Sequence, residues 1–181
     1  MKRIIPIVII LIALIVAVVG ISKPWIGGVI ETWETQHGSV KVRVENRAEN
    51  IAWLPGAYYV FQSSLPGSNS WREIMTFRHD DPGRIPRENV RFVNEQLGYV
   101  FMGWMFAVTT DGGSTWSVWD AEKDLPNWDC CNYGLIKDVR IEADGRGVMI
   151  LDSSPQRRGE VPELRTNDFG QHWSQYAGAK I

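Results

Sequence analysis

Short runs of alternating apolar and polar residues dominate the chain after position 40. Val40, Val42 and Val44 alternate with charged residues, a period of two that gives a strand with one apolar face. Turn-forming residues separate these runs, and no segment past residue 25 keeps a helical period over three turns. The pattern predicts an all-β domain whose further strands lie near 57–62, 71–77, 90–93, 99–102, 106–110, 115–119, 139–142, 148–151, 164–166 and 172–176.

The first residues follow a different pattern. Lys2 and Arg3 precede an unbroken apolar run from Ile4 to Ile21, which as a helix would extend about 27 Å and cross the hydrocarbon core of a bilayer. Basic residues ahead of the run predict a cytoplasmic amino terminus and an exported remainder. We therefore expect a transmembrane anchor within residues 1–25 and an exported domain in residues 26–181, in a single-pass protein of a bacterial inner membrane whose domain is periplasmic or extracellular. Cleavage as a signal peptide is the alternative, although the sequence before Lys23 is a poor cleavage site.

Two octapeptides in the exported part have the same pattern of residues. Thr109–Trp116 and Thr166–Trp173 both read Thr-x-Asp-x-Gly-x-x-Trp, and each follows one predicted strand and precedes another. Ser64–Trp71 is a weaker third copy that keeps the end residues and lacks the aspartate. The spacing of the copies is that of the blades of a repeat protein.

Each octapeptide predicts a hairpin turn with a structural role. Its aspartate, Asp111 or Asp168, can accept hydrogen bonds from backbone N–H groups of its own turn. Its glycine, Gly113 or Gly170, suits a backbone conformation with positive φ. Its tryptophan then returns toward the core. The proposed turn residues are Thr109, Asp111, Gly113 and Trp116 in the first copy and Thr166, Asp168, Gly170 and Trp173 in the second.

The octapeptides and their flanking strands resemble the Asp-box, or bacterial neuraminidase repeat. The segment Val90–Trp116 is similar to one blade of the photosystem II assembly and stability factor type of β-propeller, and more distantly to sortilin ectodomains and bacterial neuraminidases. This resemblance implies an incomplete propeller-like stack of about three four-stranded antiparallel sheets, preceded by the transmembrane helix. A closed propeller needs at least four blades, and the chain is too short for them.

An incomplete stack predicts a surface that something else completes. A protein partner, a second copy of the chain or the segment Val40–Glu45 could cover it. We therefore expect a membrane-anchored protein-binding or assembly module, with Arg157 and Arg158 as candidate partner contacts. A periplasmic immunity-type inhibitor of a toxin is an alternative of the same class.

Composition and charge narrow the classes of partner. Without Lys2 and Arg3 the chain has 17 of its 19 basic residues against 21 acidic ones, a net charge of −4, which argues against nucleic acid. The chain contains 9 tryptophans, and exposed ones could stack on a glycan. A glycan-binding or sialidase-related protein is therefore a second alternative, although no residue aligns with the catalytic groups of neuraminidases and we predict no enzyme. The candidate stacking residues are Trp53, Trp104, Trp119 and Trp128.

Neither the cysteines nor the histidines predict a metal or cofactor site. Cys130 and Cys131 are adjacent, so a disulfide between them would be strained, and free thiols, an oxidised pair and an intermolecular bridge remain open. The histidines lie far apart in the sequence. The turn that begins at His79 could place two carboxylates on calcium, but an ordinary turn is the simpler interpretation.

Overall fold

The computed structural model describes residues 23, 25–50, 56–65, 67–80, 84–120, 136–152 and 163–176. Within these ranges the chain forms strands, joined by turns and by one 3-10 turn at Arg87–Asn89. The all-β prediction is confirmed. The strands are β1 Ile26–His37, β2 Val40–Glu49, β3 Ala57–Ser64, β4 Arg72–His79, β5 Val90–Phe92, β6 Gly98–Met102, β7 Met105–Thr109, β8 Ser117–Asp120, β9 Ile136–Ile141, β10 Gly147–Leu151, β11 Glu163–Thr166 and β12 Ser174–Gln175.

The strands form three sheets of four, in which each strand pairs with its neighbour in sequence. The first sheet contains β1–β4, the middle sheet β5–β8 and the third sheet β9–β12, and all the pairings are antiparallel. Short connections between adjacent antiparallel strands make each sheet a meander. The predicted three four-stranded antiparallel sheets are therefore confirmed.

The central strands of the middle sheet, β6 and β7, are buried on both faces. Val100 and Ala107 point toward the first sheet and are fully buried among its side chains. Tyr99, Phe101 and Phe106 point to the other face and pack against the third sheet. This double burial explains why β6 and β7 are almost continuously apolar, since a strand covered on both sides has no polar face.

Two apolar cores therefore hold the three sheets together. In the first core, side chains of β2, β3 and β4 meet the middle sheet; in the second, side chains of β9, β10 and β11 meet its other face. Buried residues of the first core include Val40, Val42, Val44, Tyr59, Phe61 and Phe77, and those of the second include Val139, Ile141, Met149, Leu151, Leu164 and Trp173.

The structure corrects the sequence analysis in the first sheet. Strand β1 was not predicted, yet it is twelve residues long and forms the edge of this sheet. The segment Val40–Glu45, considered as a cover for an open edge, instead lies inside the first sheet as part of β2, paired on one side with β1 and on the other with β3. It therefore covers neither an edge nor an end of the stack.

The apolar run Ile4–Ile21 lies outside the described residues. In the part of the chain that is described, no helix has the length and apolar character needed to cross a bilayer. The candidate residues Cys130, Cys131, Arg157, Arg158, Trp53 and Trp128 also lie outside the described ranges.

Phe106 is the residue whose loss should most weaken the junction of the middle and third sheets. Its side chain is fully buried, and its ring lies 5.4 Å from that of Trp173 and 5.9 Å from that of Tyr99. We expect Phe106→Ala to lower the free energy of unfolding by about 3–5 kcal/mol. Chemical denaturation of the full chain in a mild detergent would measure this. The control Val118→Ala, at a residue 46% exposed on the next strand, should change it by less than about 0.5 kcal/mol.

Candidate functional site

The first octapeptide forms the turn between β7 and β8. The Thr109 hydroxyl donates to Asp111 Oδ1 at 2.8 Å and accepts the backbone N–H of Gly113 at 2.8 Å. The Asp111 carboxylate accepts the backbone N–H of Thr115 at 2.9 Å and the Thr115 hydroxyl at 2.6 Å. These bonds join both ends of the turn to one carboxylate and one hydroxyl.

The second octapeptide forms the matching turn between β11 and β12. The Thr166 hydroxyl donates to Asp168 Oδ1 at 2.7 Å and accepts the Gly170 N–H at 3.0 Å. Asp168 accepts the backbone N–H of His172 at 3.0 Å, and its other oxygen lies 2.6 Å from His172 Nδ1. His172 thus takes the place that Thr115 has in the first turn.

The glycines of the two turns have left-handed backbone conformations and closely approach the preceding sheet. Gly113 has a φ of 83° and Gly170 a φ of 84°. A Cβ at Gly113 would overlap the side chain of Val40 in the first sheet, and one at Gly170 would come within 3.0 Å of Phe106 in the middle sheet. Each turn is therefore packed against the core of the sheet before its own.

The tryptophan of each turn points to that same preceding sheet. Trp173 is 9% exposed and packs edge-to-face on Phe106, while Trp116 packs against the core between the first and middle sheets. Both indole N–H groups are buried without a hydrogen-bond partner. The two tryptophans therefore act as apolar contacts between sheets, in equivalent positions of the stack.

The weaker third copy lies at the same place in the first sheet, between β3 and β4. The Ser64 hydroxyl donates to the backbone oxygen of Ser68 at 3.0 Å, which replaces the bond from the glycine N–H in the other turns. Trp71 lies beneath the guanidinium of Arg43, 4.3 Å from the ring centroid. Among the described residues no sheet precedes the first one, and a cation covers this tryptophan instead.

The turns keep their aspartates ionised. Burial alone would raise the pKa of Asp111. Hydrogen bonds from the hydroxyl and backbone N–H of Thr115 and from the hydroxyl of Thr109 outweigh this effect, so the pKa lies below the ordinary value. The pKa of Asp168 is lowered in the same way against burial, by bonds from His172 and Thr166.

The outer face of the first sheet is covered by paired charges. Arg43 donates to Gln62 Oε1 at 2.9 Å and 2.8 Å and lies 3.2 Å from Glu45. Arg78 pairs with Glu49 at 2.9 Å, and this bond is the main cause of the lowered pKa of the Glu49 carboxyl. A polar outer face is typical of the terminal unit of a repeat stack.

The third sheet can be compared with the middle sheet residue for residue. Gly98 of β6 pairs with Thr109, and Gly147 of β10 pairs with Thr166. Because both threonines begin the same turn, β10 occupies in its sheet the place that β6 occupies in the middle sheet.

This register allows the outer face of the third sheet to be compared with the equivalent face of the middle sheet, which another sheet covers. Val148 and Ile150 stand where β6 has Tyr99 and Phe101. Tyr99 and Phe101 are buried by the third sheet, whereas Val148 and Ile150 are only partly buried and line an open cleft of about 820 Å³. Charged side chains surround them, namely Asp138, Arg140, Glu142, Arg146 and Arg165. We call this surface the third-sheet cleft.

An arginine connects the middle sheet to the third. Arg91 donates to the backbone oxygen of Val139 at 2.6 Å and pairs with Asp138 at 2.8 Å, and the Tyr99 hydroxyl donates to the same backbone oxygen at 3.1 Å. Burial would lower the pKa of Arg91, but its bond to Asp138 outweighs this and keeps the group charged.

Arg140 is the counterpart of Arg91 on the outer face of the third sheet. Arg91 pairs across the strands with Tyr99, and Arg140 pairs with Val148 at the equivalent place. Arg140 contacts Asp138 at 3.1 Å, yet its side chain is 77% exposed, against 33% for Arg91. Arg91 therefore reaches the next sheet, whereas Arg140 points into solvent.

The remaining sequence candidates lie elsewhere. Trp119 is buried in the second core, and Trp104 is partly buried and packs edge-to-face on Phe77. Asp80 pairs with Arg78, and within the described ranges no cluster of three or more histidine, cysteine, aspartate or glutamate side chains could hold a metal ion. Sequence reasoning missed the third-sheet cleft, because its composition becomes meaningful only once the strand register is known.

Comparison with protein-family models, with curated proteins and with solved structures finds no match to this chain. The geometry of the turns and of the cleft therefore carries the functional argument alone.

Replacing Gly113 with alanine should lower the free energy of unfolding by more than the strain of a positive φ explains. We expect Gly113→Ala to lower the free energy of unfolding by about 1–2 kcal/mol for positive φ and by a further 1–3 kcal/mol, roughly, for the overlap with Val40. Gly67→Ala isolates the first contribution, since Gly67 has a φ of 70° and nothing within 4 Å. Gly28→Ala has neither cost.

The overlap can be tested separately with Val40→Ala. In the double variant Gly113→Ala, Val40→Ala, the loss of stability should be smaller than the sum of the two single losses, because the smaller side chain makes room for the new Cβ. Equal losses for Gly113→Ala and Gly67→Ala would show that the turn is not pressed against the first sheet.

The Asp111 turn should stabilise the fold above acidic pH. Because the folded pKa of Asp111 is lowered, its contribution is fully present above the ordinary aspartate pKa of about 3.9 and is lost as the pH falls through the lower folded value. We expect Asp111→Asn to be less stable than the wild type at pH 7, with the difference closing in acid. Denaturation at a series of pH values measures it. Thr110→Ala, at an exposed neighbour, serves as control, and a difference that persists below the folded pKa would contradict the assignment.

Proposed function

We propose that this chain is a membrane-anchored, extracytoplasmic protein-binding or assembly module of Asp-box type that binds its partner in the third-sheet cleft. The observation that carries the proposal is the equivalence of Arg91 and Arg140. The guanidinium of Arg91 bonds to the edge strand of the next sheet within the chain. The guanidinium of Arg140 is in the equivalent position, but among the described residues no sheet lies beyond it.

The chemistry of the cleft supports a protein rather than a small molecule as the partner. Val148 and Ile150 provide an apolar centre, and charged groups form its rim. An apolar centre with a polar rim is the usual arrangement in protein–protein interfaces. The expected partner presents an apolar surface together with a backbone oxygen or carboxylate for Arg140, as the third sheet does for Arg91.

The two ends of the stack differ in a way that favours this assignment. On the first sheet, Arg43 and Gln62 occupy the places of the buried Val100 and Ala107 and hydrogen-bond to each other. Burying such a network under a partner would cost desolvation energy. The third-sheet cleft keeps apolar side chains at the corresponding centre, so it is the better binding surface.

Position-specific crosslinking in native membranes tests the proposal. A photo-reactive amino acid replacing Val148 in the full chain should give a discrete protein adduct, and one replacing Thr32 on the first sheet should not. We expect Arg140→Glu to lower the adduct yield about tenfold or more, since reversing a buried interface charge costs over 1.4 kcal/mol. Lys137→Glu, at an exposed lysine of the same strand outside the cleft, should have little effect.

The identity of the adduct separates two versions of the function. A resident membrane complex would support an assembly factor, and a secreted toxin would support an immunity-type inhibitor. The protein-binding proposal fails if position 148 gives no adduct, or if Arg140→Glu and Lys137→Glu act alike.

A further inference from the structure

Three large exposed apolar residues lie close together in the sequence at the amino-terminal end of the described chain. Trp25 is 44% exposed, Val29 49% and Ile30 60%, and they fall within six residues of sequence. We call these three residues the amino-terminal patch. Exposed apolar residues scattered singly need no explanation, but a group of them marks an interaction surface.

The other large exposed apolar residues have local explanations. Tyr176 lies beneath the guanidinium of Arg165, 3.5 Å from its ring centroid, and Phe169 packs over Gly145. Val118 stands alone on β8. The amino-terminal patch is therefore the group that calls for a partner.

The backbone of the patch is irregular. The pairing of β1 with β2 shifts register between Ile26 and Val29 and again between Val29 and Glu31. Bulges of this kind protect an edge strand from pairing with another chain. That role explains the backbone but not the apolar side chains, since protection of an edge favours charged residues.

The position of the patch in the chain identifies its partner. Trp25 follows the end of the apolar run at Ile21 by four residues, which span at most about 14 Å. Lys23, which lies between them in the sequence, is held on β4, where it donates to Glu73 at 2.6 Å and to Thr76 at 3.3 Å. The headgroup layer of each leaflet is about 5–8 Å thick, so a chain anchored by that run holds Trp25 within or beside it.

We infer that Trp25, Val29 and Ile30 insert into the headgroup layer of the bilayer and hold the first sheet against the membrane surface. Tryptophan is suited to this layer because its ring is apolar and its N–H can still be hydrated. The inference rests on the membrane anchor in the proposed function and is independent of the partner in the third-sheet cleft.

Fluorescence in vesicles tests the inference. In the full chain, an environment-sensitive fluorescent amino acid replaces Val29, Ile30 or Val118, and each protein is reconstituted in vesicles of phosphatidylethanolamine and phosphatidylglycerol. Val118 is the matched control, with the residue type of Val29 and a similar exposure of 46%. We expect blue-shifted emission at positions 29 and 30, at least twofold quenched by nitroxide-labelled lipids, and neither change at position 118.

The outcomes separate the inference from the anchor. Protein that floats with the vesicles but is unquenched at positions 29 and 30 would overturn the inference and leave the anchor intact. Blue-shifted emission without quenching by lipid would mean that protein covers the patch, and equal quenching at position 118 would mean that the contact is not specific. Both of these results also overturn the inference. Protein that does not float would remove the anchor and the inference together.

Discussion

The contact of each Thr-x-Asp-x-Gly-x-x-Trp turn with the preceding sheet is the constraint on which the stack depends. The aspartate and the threonine fix the turn from within, through bonds to backbone N–H groups at both of its ends. The glycine then lies against the neighbouring core, and the tryptophan extends that contact. One short sequence thus closes a hairpin and joins it to the neighbouring sheet, which explains why turn residues and core residues occur together in a single motif.

Much of the fold could be predicted because the middle and third sheets have regular patterns. Their strands are apolar on the faces that are buried, and their turns contain the repeated octapeptides. Strand β1 escaped prediction because polar residues lie on both of its faces from Glu31 onward: Glu31, Thr35 and His37 point inward beside Trp33, and Thr32, Glu34 and Gln36 point outward. Because this edge strand lies beside a charged face, its sequence does not alternate between apolar and polar residues. Its extended structure depends instead on pairing with β2.

The candidate site could be predicted only in part, for a related reason. The turn residues were evident, since two copies in one chain reveal the pattern. The third-sheet cleft was not, since Arg91 and Arg140 look alike in the sequence and differ only in what lies beyond them. Their equivalence depends on the register of Tyr99 and Val148 across the strands, which a single sequence does not contain.

The order of the sheets gives the molecule a direction. The chain comes from the apolar run into the first sheet, whose outer face is closed by paired charges, and the apolar centre of the third-sheet cleft lies at the opposite end. Packed sheets are separated by about 10 Å, so the cleft lies roughly 20 Å from the first sheet. The partner that we propose for the cleft would therefore lie at the end of the stack opposite the first sheet, which carries the amino-terminal patch. The middle sheet, whose central strands β6 and β7 are buried on both faces, lies between these two surfaces and separates them.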